Sequence, residues 1–84
     1  MDVYAAGVIF LEMCHPFGTQ MERITELTAL QRRRVPAPLR ADHPLLADFV
    51  LWCTSADASL RPTVEEVYFY LYLYLYLYIY IYLL

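Results

Sequence analysis

The chain has 84 residues, enough for one small domain at most, and its formal net charge at neutral pH is -3. A surface that binds nucleic acid is normally basic, so this acidic balance excludes nucleic acid as an expected partner. The apolar fraction of 61% is inflated by Tyr, Leu and Ile near the C-terminus, and the sequence therefore divides into a domain part, 1–67, and a hydrophobic low-complexity tail, 68–84.

Individual residue types narrow the chemistry further. All six basic residues are arginines, so reactions that require a lysine are excluded. Cys14 and Cys53 each lie in an apolar pattern without close spacing, which is typical of reduced thiols. The N-terminal residues show no secretory signal, and we expect a cytoplasmic location.

The first predicted helix runs from Val3 to Cys14, with Asp2 as its N-cap. Its residues are apolar on every side, a pattern typical of a helix at the centre of a large core. A chain of this length supports only a small core. We therefore expect residues 1–67 to be the end of a larger domain, whose remaining part would cover this helix.

A capping box, Thr19-Gln20-Met21-Glu22, starts the second predicted helix, which spans about residues 20–33. The run Arg32-Arg33-Arg34 closes it, because arginines at a helix C-terminus complement the helix dipole. Binding of phosphate groups is the other interpretation of this run.

Pro36 and Pro38 predict an extended connection that continues to about Arg40. The third helix should begin at residue 42 or 43 and end near Thr54, with Pro44 in its first turn.

A second capping box, from Thr63 to Glu66, predicts a fourth helix. Its inward-facing residues should be Val64, Val67 and Tyr68. Since no segment before the tail has the pattern of a strand, the predicted fold is all-α, with four helices followed by the tail.

The tail alternates tyrosine with leucine or isoleucine. An extended tail would have high β-propensity and, without charge, would be prone to aggregate. A helical tail would reach about 25 Å, less than the hydrocarbon core of about 30 Å, and its frequent tyrosines disfavour membrane insertion. Both structures, helical and extended, stay open.

Three segments carry a resemblance to a known family. Asp2-Val3-Tyr4 with Gly7 opens the first helix, and Asp57 precedes Arg61-Pro62-Thr63 at the last. In this order and spacing the chain resembles the end of the C-terminal lobe of a eukaryotic protein kinase. The segment Glu12–Arg23, Glu-Met-Cys-His-Pro-Phe-Gly-Thr-Gln-Met-Glu-Arg, is most similar to the kinases that phosphorylate the alpha subunit of translation initiation factor 2. The tail has no counterpart in the family pattern.

The resemblance implies structural roles for two residues. Asp2 would cap the central helix of the lobe and contact the backbone of the catalytic loop. Arg61 would form a buried ion pair with the glutamate of an Ala-Pro-Glu motif. Because neither partner occurs in this sequence, we expect Arg61 to turn to solvent or to pair with Asp57 or Glu66.

The intact family binds ATP and magnesium, but this sequence lacks the motifs for both. Gly7 and Gly18 are the only glycines, which excludes a glycine-rich loop, and no His-Arg-Asp triplet occurs. Pro16-Phe17-Gly18 lacks the aspartate of Asp-Phe-Gly, and Ala37-Pro38-Leu39 lacks the glutamate of Ala-Pro-Glu. We expect no catalytic, cofactor-binding or metal-binding residue here, and no catalysis by this chain alone.

Docking of a substrate is a function that could remain. The resemblance implies that the helix after the central one presents the surface that binds translation initiation factor 2 alpha. The matching candidates are Thr19, Glu22, Arg23 and Glu26. In the alternative, Thr19 and Glu22 only cap the helix, while Arg23 and Glu26 form surface pairs.

The expected partners are therefore the initiation factor and the missing part of the kinase domain. Three functions stay open: a fragment of a stress-responsive kinase that restrains translation, a docking module without catalysis, and a peptide that associates with membranes or with itself through its tail. A zinc site built from Cys14, His15, His43 and Cys53 is disfavoured, because these residues lack the short paired spacings of structural zinc sites.

Overall fold

The computed structural model describes residues 2–83, and within this range the chain is helical and has no strand. Five α-helices and one 3-10 turn follow in chain order: α1 (Val3–Cys14), α2 (Gln20–Gln31), α3 (Ala37–Asp42), α4 (Pro44–Cys53), the turn at Ala58–Leu60 and α5 (Val64–Leu83). The all-α fold predicted from the sequence is confirmed.

The core forms around α4, which packs against both α1 and α3. Every α-helix contributes buried apolar residues to it: Leu11, Leu30, Leu39, Leu46, Ala47, Phe49, Val50, Cys53 and Val67. Phe49 connects three helices, since its ring centroid lies 5.5 Å from that of Phe10 and 4.2 Å from that of Tyr70. α4 is therefore the element on which the other helices are assembled.

α1 approaches α4 most closely at Gly7. A Cβ atom at this position would lie 2.7 Å from Cβ of Cys53 and 2.9 Å from Cγ2 of Thr54, distances too short for carbon atoms. On the exposed side of α1, Ile9 and Met13 are 57% and 69% exposed. The helix that is apolar on every side is thus only partly covered by this chain.

The predicted helix starts are present with their caps. Asp2 Oδ1 accepts the backbone N–H of Ala5 at 3.1 Å and begins α1. At α5 the capping box is complete, since Thr63 Oγ1 accepts the N–H of Glu66 and Glu66 Oε1 accepts the N–H of Thr63. These side chains satisfy backbone donors that a helix cannot pair internally.

The connection predicted to be extended up to Arg40 is wrong, because α3 occupies Ala37–Asp42. Pro36 is the N-cap and Pro38 falls in the first turn, where a missing N–H costs nothing. The buried side chain of Leu39 holds this short helix against α4. His43 then ends α3 and begins α4.

α2 ends two residues earlier than predicted, at Gln31. Arg33 has a φ of 64°, in the left-handed region, and its N–H bonds to the carbonyl of Leu30. The N–H of Arg34 bonds to the carbonyl of Ala29, which completes a Schellman motif with arginine where glycine is usual.

The tail is helical, and the extended alternative is wrong for residues up to Leu83. Val67 is fully buried as predicted, but Tyr68 is 58% exposed, and the inward-facing residue is Tyr70. The Tyr70 hydroxyl donates to the carbonyl of Leu45 at 3.1 Å. Tyr70 and Leu71 therefore attach the beginning of the tail to the core.

We predict that Gly7→Ala lowers the free energy of unfolding by about 1–3 kcal/mol, because the new methyl group forces α1 away from α4. Urea denaturation followed by circular dichroism measures this change. Gly18→Ala is the control, since its methyl group would meet only Oε2 of Glu22, at the end of a side chain, at 3.3 Å. Equal or greater stability of Gly7→Ala would contradict the required close approach.

We predict that Arg33→Gly is more stable than Arg33→Ala by about 1 kcal/mol, because only glycine adopts a left-handed conformation without steric cost. Both variants lose the hydrogen bond from Arg33 Nη2 to the carbonyl of Leu51, 2.6 Å long, so their difference isolates the backbone. Thermal denaturation of the two variants side by side gives this difference. Identical melting temperatures would show that the backbone at Arg33 carries no strain.

Candidate functional site

The candidate docking residues surround the junction between α1 and α2. Here the chain breaks at Pro16-Phe17-Gly18 and begins α2 with Thr19 as N-cap. A groove of about 380 Å³ opens at this junction, and it is lined by Glu12, Pro16, Phe17, Gly18, Thr19, Gln20 and Arg23. Two of the four predicted docking residues, Thr19 and Arg23, therefore line one groove.

A salt bridge between Glu12 and Arg23 forms one wall of this groove. Arg23 Nε donates to Glu12 Oε1 at 2.9 Å, and both side chains are about half-buried. This pair joins the last turn of α1 to the first turn of α2 across the groove. The ion-pair partner of Arg23 is therefore Glu12 and not Glu26.

Thr19 and Glu22 act together as caps. Thr19 Oγ1 accepts the N–H of Glu22 at 3.0 Å, and Glu22 Oε2 accepts the N–H of Gly18 at 3.0 Å. His15 Nε2 lies 3.9 Å from the other carboxylate oxygen of Glu22. The predicted capping role of both residues is confirmed, and docking by the same residues stays a prediction.

Glu26 lies one turn further along α2 and does not line the groove. The structure thus brings Thr19, Glu22 and Arg23 together and leaves Glu26 apart from them. A ligand in the groove would meet a carboxylate, a guanidinium and a hydroxyl group.

Arg61 does not behave as predicted, because neither Asp57 nor Glu66 pairs with it. Its Nε donates to the carbonyl of Ser55 at 2.8 Å, and its guanidinium lies 5.1 Å from the centroid of the Tyr4 ring. Asp57 instead accepts hydrogen bonds from Ser59, which lower the pKa of its carboxyl group. Arg61 is therefore half-buried against the first turn of α1 rather than turned to solvent.

Two partner residues, Glu12 and Tyr4, were not identified from the sequence. Glu12 is the only charged residue in α1, and a lone charge in an apolar helix indicates a need for a partner. That signal could have pointed to Arg23. Tyr4 offers no comparable signal, because an aromatic residue in an apolar helix is expected in a core.

The two thiols have the character of core residues. Burial raises the pKa of Cys53 to about 11 and also raises the pKa of Cys14. Because the thiolate is the reactive form, neither cysteine is suited to nucleophilic chemistry at neutral pH. Within residues 2–83 no three potential metal ligands form a cluster. The same range contains no helix with the length and apolar character required to cross a membrane.

The sequence of this chain is similar to those of several known protein kinases. The chain is 42% identical over 62 residues to eukaryotic translation initiation factor 2-alpha kinase 1 of Rattus norvegicus, which covers 74% of this chain and 10% of that kinase. It is 36% identical over 67 residues to eukaryotic translation initiation factor 2-alpha kinase 2 of Schizosaccharomyces pombe. This match covers 80% of this chain and 10% of that kinase. A probable serine/threonine-protein kinase 2 of Autographa californica nuclear polyhedrosis virus is 36% identical over 66 residues. This match covers 76% of this chain and 31% of the viral kinase.

The predicted resemblance to the kinases of translation initiation factor 2 alpha is confirmed by these similarities. The chain spans about a tenth of the length of the two cellular relatives. No protein-family model matches it, and no solved structure matches it significantly. Over most of its length the chain is therefore similar to a short part of serine/threonine protein kinases.

Proposed function

We propose that this chain is a segment from the end of the C-terminal lobe of a serine/threonine protein kinase that phosphorylates translation initiation factor 2 alpha. In that role it would help to restrain translation under stress. We also propose a cytoplasmic location, on the basis of its two free thiols, Cys14 and Cys53. The segment itself would transfer no phosphate.

The observation that carries the proposal is the partly covered α1. Gly7 and Leu11 are buried against the rest of the chain, while Ile9 and Met13 expose more than half of their surface. Fully burying one such side chain stabilises a protein by about 1.5–3 kcal/mol. The remainder of a kinase lobe would supply the apolar surface that this side of α1 lacks.

The family roles of Asp2 and Arg61 extend this proposal. Asp2 is exposed at the start of α1, so its carboxylate remains accessible to a catalytic-loop backbone. Arg61 is held at the first turn of the same helix by Tyr4 and Ser55. In the intact domain its guanidinium would exchange these neutral partners for the glutamate of the Ala-Pro-Glu motif.

ATP and magnesium do not fit the residues present. Pro16-Phe17-Gly18 is no Asp-Phe-Gly motif, because it lacks the aspartate, and proline has no side-chain oxygen to coordinate a metal. Gly18 is followed by Thr19 and not by further glycines, so the junction is no glycine-rich loop for the phosphates of ATP. Both cofactors would be bound by another part of the kinase, and we derive no catalytic step from this chain.

A chimeric kinase tests the proposal. Residues 2–67 would replace the matching segment of the Schizosaccharomyces pombe kinase, and phosphate transfer to purified translation initiation factor 2 alpha would be measured. We expect an active chimera, whereas the chain alone should transfer no phosphate. A chimera that melts like its parent but is inactive would contradict the proposal, and so would activity of the chain alone above a no-enzyme control.

We predict that Arg61→Ala destabilises the chimera more than it destabilises the chain alone. In the chimera the change removes one partner of a buried ion pair, and we expect a loss of about 3–5 kcal/mol in stability with loss of activity. In the chain alone it removes a hydrogen bond to the Ser55 carbonyl and a cation–π contact, and it leaves no charge without a partner, so we expect a smaller loss of stability than in the chimera. Equal effects in both settings would show that no ion pair forms in the chimera.

A docking module is the second candidate function, and the groove at the α1–α2 junction favours it. The groove is shaped by contacts within this chain, chiefly the Glu12–Arg23 salt bridge and the Thr19 and Glu22 caps. Its geometry therefore does not require the rest of a kinase. Such a module would bind the initiation factor without acting on it.

Calorimetric titration of translation initiation factor 2 alpha tests this second candidate. We expect Arg23→Gln to weaken binding at least about tenfold, the effect of losing one charge-assisted hydrogen bond, while both caps are preserved. Arg34→Gln, exposed and outside the groove, is the charge-matched control. No binding by the unaltered chain, or equal weakening by both variants, would contradict docking at this groove.

A further inference from the structure

In the helical tail the alternating sequence forms rows of tyrosines and rows of leucines or isoleucines along the helix surface. In an α-helix the residues i and i+4 are neighbours, so tyrosines contact tyrosines along the helix. The rings of Tyr76 and Tyr80 lie 6.5 Å apart, and those of Tyr78 and Tyr82 lie 4.6 Å apart. Rows of leucine and isoleucine run between the tyrosine rows, and α5 beyond Leu71 is therefore apolar on all sides.

This part of α5 exposes more apolar surface than a monomer normally does. The tyrosines between Tyr72 and Tyr82 are 36–69% exposed, which corresponds to roughly 700 Å² if a whole tyrosine presents about 200 Å². Leucines and isoleucines in the same segment are 42–76% exposed. The largest apolar patch of a typical monomer is about 300–600 Å². A standard interface removes about 800 Å² from each partner. The exposed surface of this segment lies around its whole circumference, so one side of α5 supplies part of that area and the apolar residues beside it supply the rest.

An apolar groove of about 320 Å³ continues this surface to the base of the tail. It runs between α1, α4 and α5, and Phe10, Met13, Leu46, Leu71, Tyr74 and Leu75 are among its lining residues. We call the side of α5 beside it the groove face, formed by Tyr74, Leu75, Tyr78 and Tyr82. The opposite side, the outer face, is formed by Tyr72, Tyr76 and Tyr80.

We propose that the groove face binds a second copy of this chain, with the two α5 helices packed across a two-fold axis. Beyond Glu66 the sequence contains no charged residue, so a copy brings no like charges together. Each copy supplies both leucine and tyrosine rows, and the ridges of one helix can fill the grooves of the other. Covering the groove beside Met13 adds area at the base of the tail.

Charge and chemistry favour this occupant over a lipid bilayer. Tyrosine hydroxyl groups occur around the whole circumference of α5, and no lysine or arginine follows Arg61 to contact lipid headgroups. In a two-fold pair, hydroxyl groups at the edge of the interface stay in water while the rings are buried. The α5 part of this interface lies outside the kinase-like part and does not depend on the kinase proposal. The groove beside Met13 borders the side of α1 that the remainder of a kinase lobe would cover, so it is free for a second copy in the chain alone.

Sedimentation equilibrium of the full chain tests the proposal, with Leu75→Glu plus Tyr78→Glu as the variant. Both residues are more than half exposed, so the helix should still form, and circular dichroism checks this. A two-fold interface receives each new charge twice, and we expect the dimer dissociation constant to rise by at least about a hundredfold. Tyr72→Glu plus Tyr76→Glu on the outer face is the charge-matched control and should leave the dimer intact.

Met13→Glu, on the rim of the groove, is a second variant that leaves α5 unchanged and should also weaken the dimer. A monomer at all concentrations would overturn the proposal. Loss of the dimer only in the outer-face variant would do the same, as would large assemblies with a β-sheet spectrum. Binding to phosphatidylcholine vesicles as a monomer would assign the face to lipid instead.

Discussion

The close approach of α1 to α4 at Gly7 is the constraint on which the rest of the structure depends. Two helices of a small chain bury enough apolar surface only if their backbones lie near each other. The absence of a side chain at Gly7 permits this, and Leu11 and Cys53 are completely buried as a result. α3 then packs against α4 with Leu39 buried, and α5 attaches to α4 through Tyr70, which stacks on Phe49 and donates to the Leu45 carbonyl.

A core assembled around one short helix leaves two kinds of exposed apolar surface. On α1 the exposed residues Ile9 and Met13 belong to a helix whose opposite side is fully packed. A helix of this composition is expected to have neighbours on every side. On α5 the exposed rows continue from Tyr72 to Leu83, and the other helices within residues 2–83 leave them largely uncovered. The remainder of a larger domain would cover the exposed side of α1, and a second copy of this chain would cover α5.

Local signals allowed much of the fold to be predicted from the sequence. Asp2, Thr19 and Thr63 each place an acceptor before a helix, and the backbone donors that they satisfy are close in sequence. Contacts between distant residues have no such signal. Arg61 is held by Tyr4, a residue far away in the chain, so its surroundings could be found only from the folded structure. Whether the groove residues bind a partner is likewise beyond what one sequence contains.

The mistaken expectation of an extended connection before Arg40 and the open choice between a helical and an extended tail have a common cause. Pro36 and Pro38 disfavour a helix interior, and the alternating tail favours a strand, so both segments have an intrinsic preference for extended backbone. Tertiary packing opposes this preference in each case. Leu39 is buried only if α3 is helical, and Tyr70 reaches both Phe49 and the Leu45 carbonyl from the first turns of α5.

Once α5 is nucleated by its capping box and held by Tyr70, each further residue adds one backbone hydrogen bond. A strand in the same place would need a neighbouring strand to pair with, and residues 2–83 provide none. The helix is therefore the form in which the tail satisfies its own backbone. Its side chains, in contrast, are left largely uncovered by the other helices of residues 2–83.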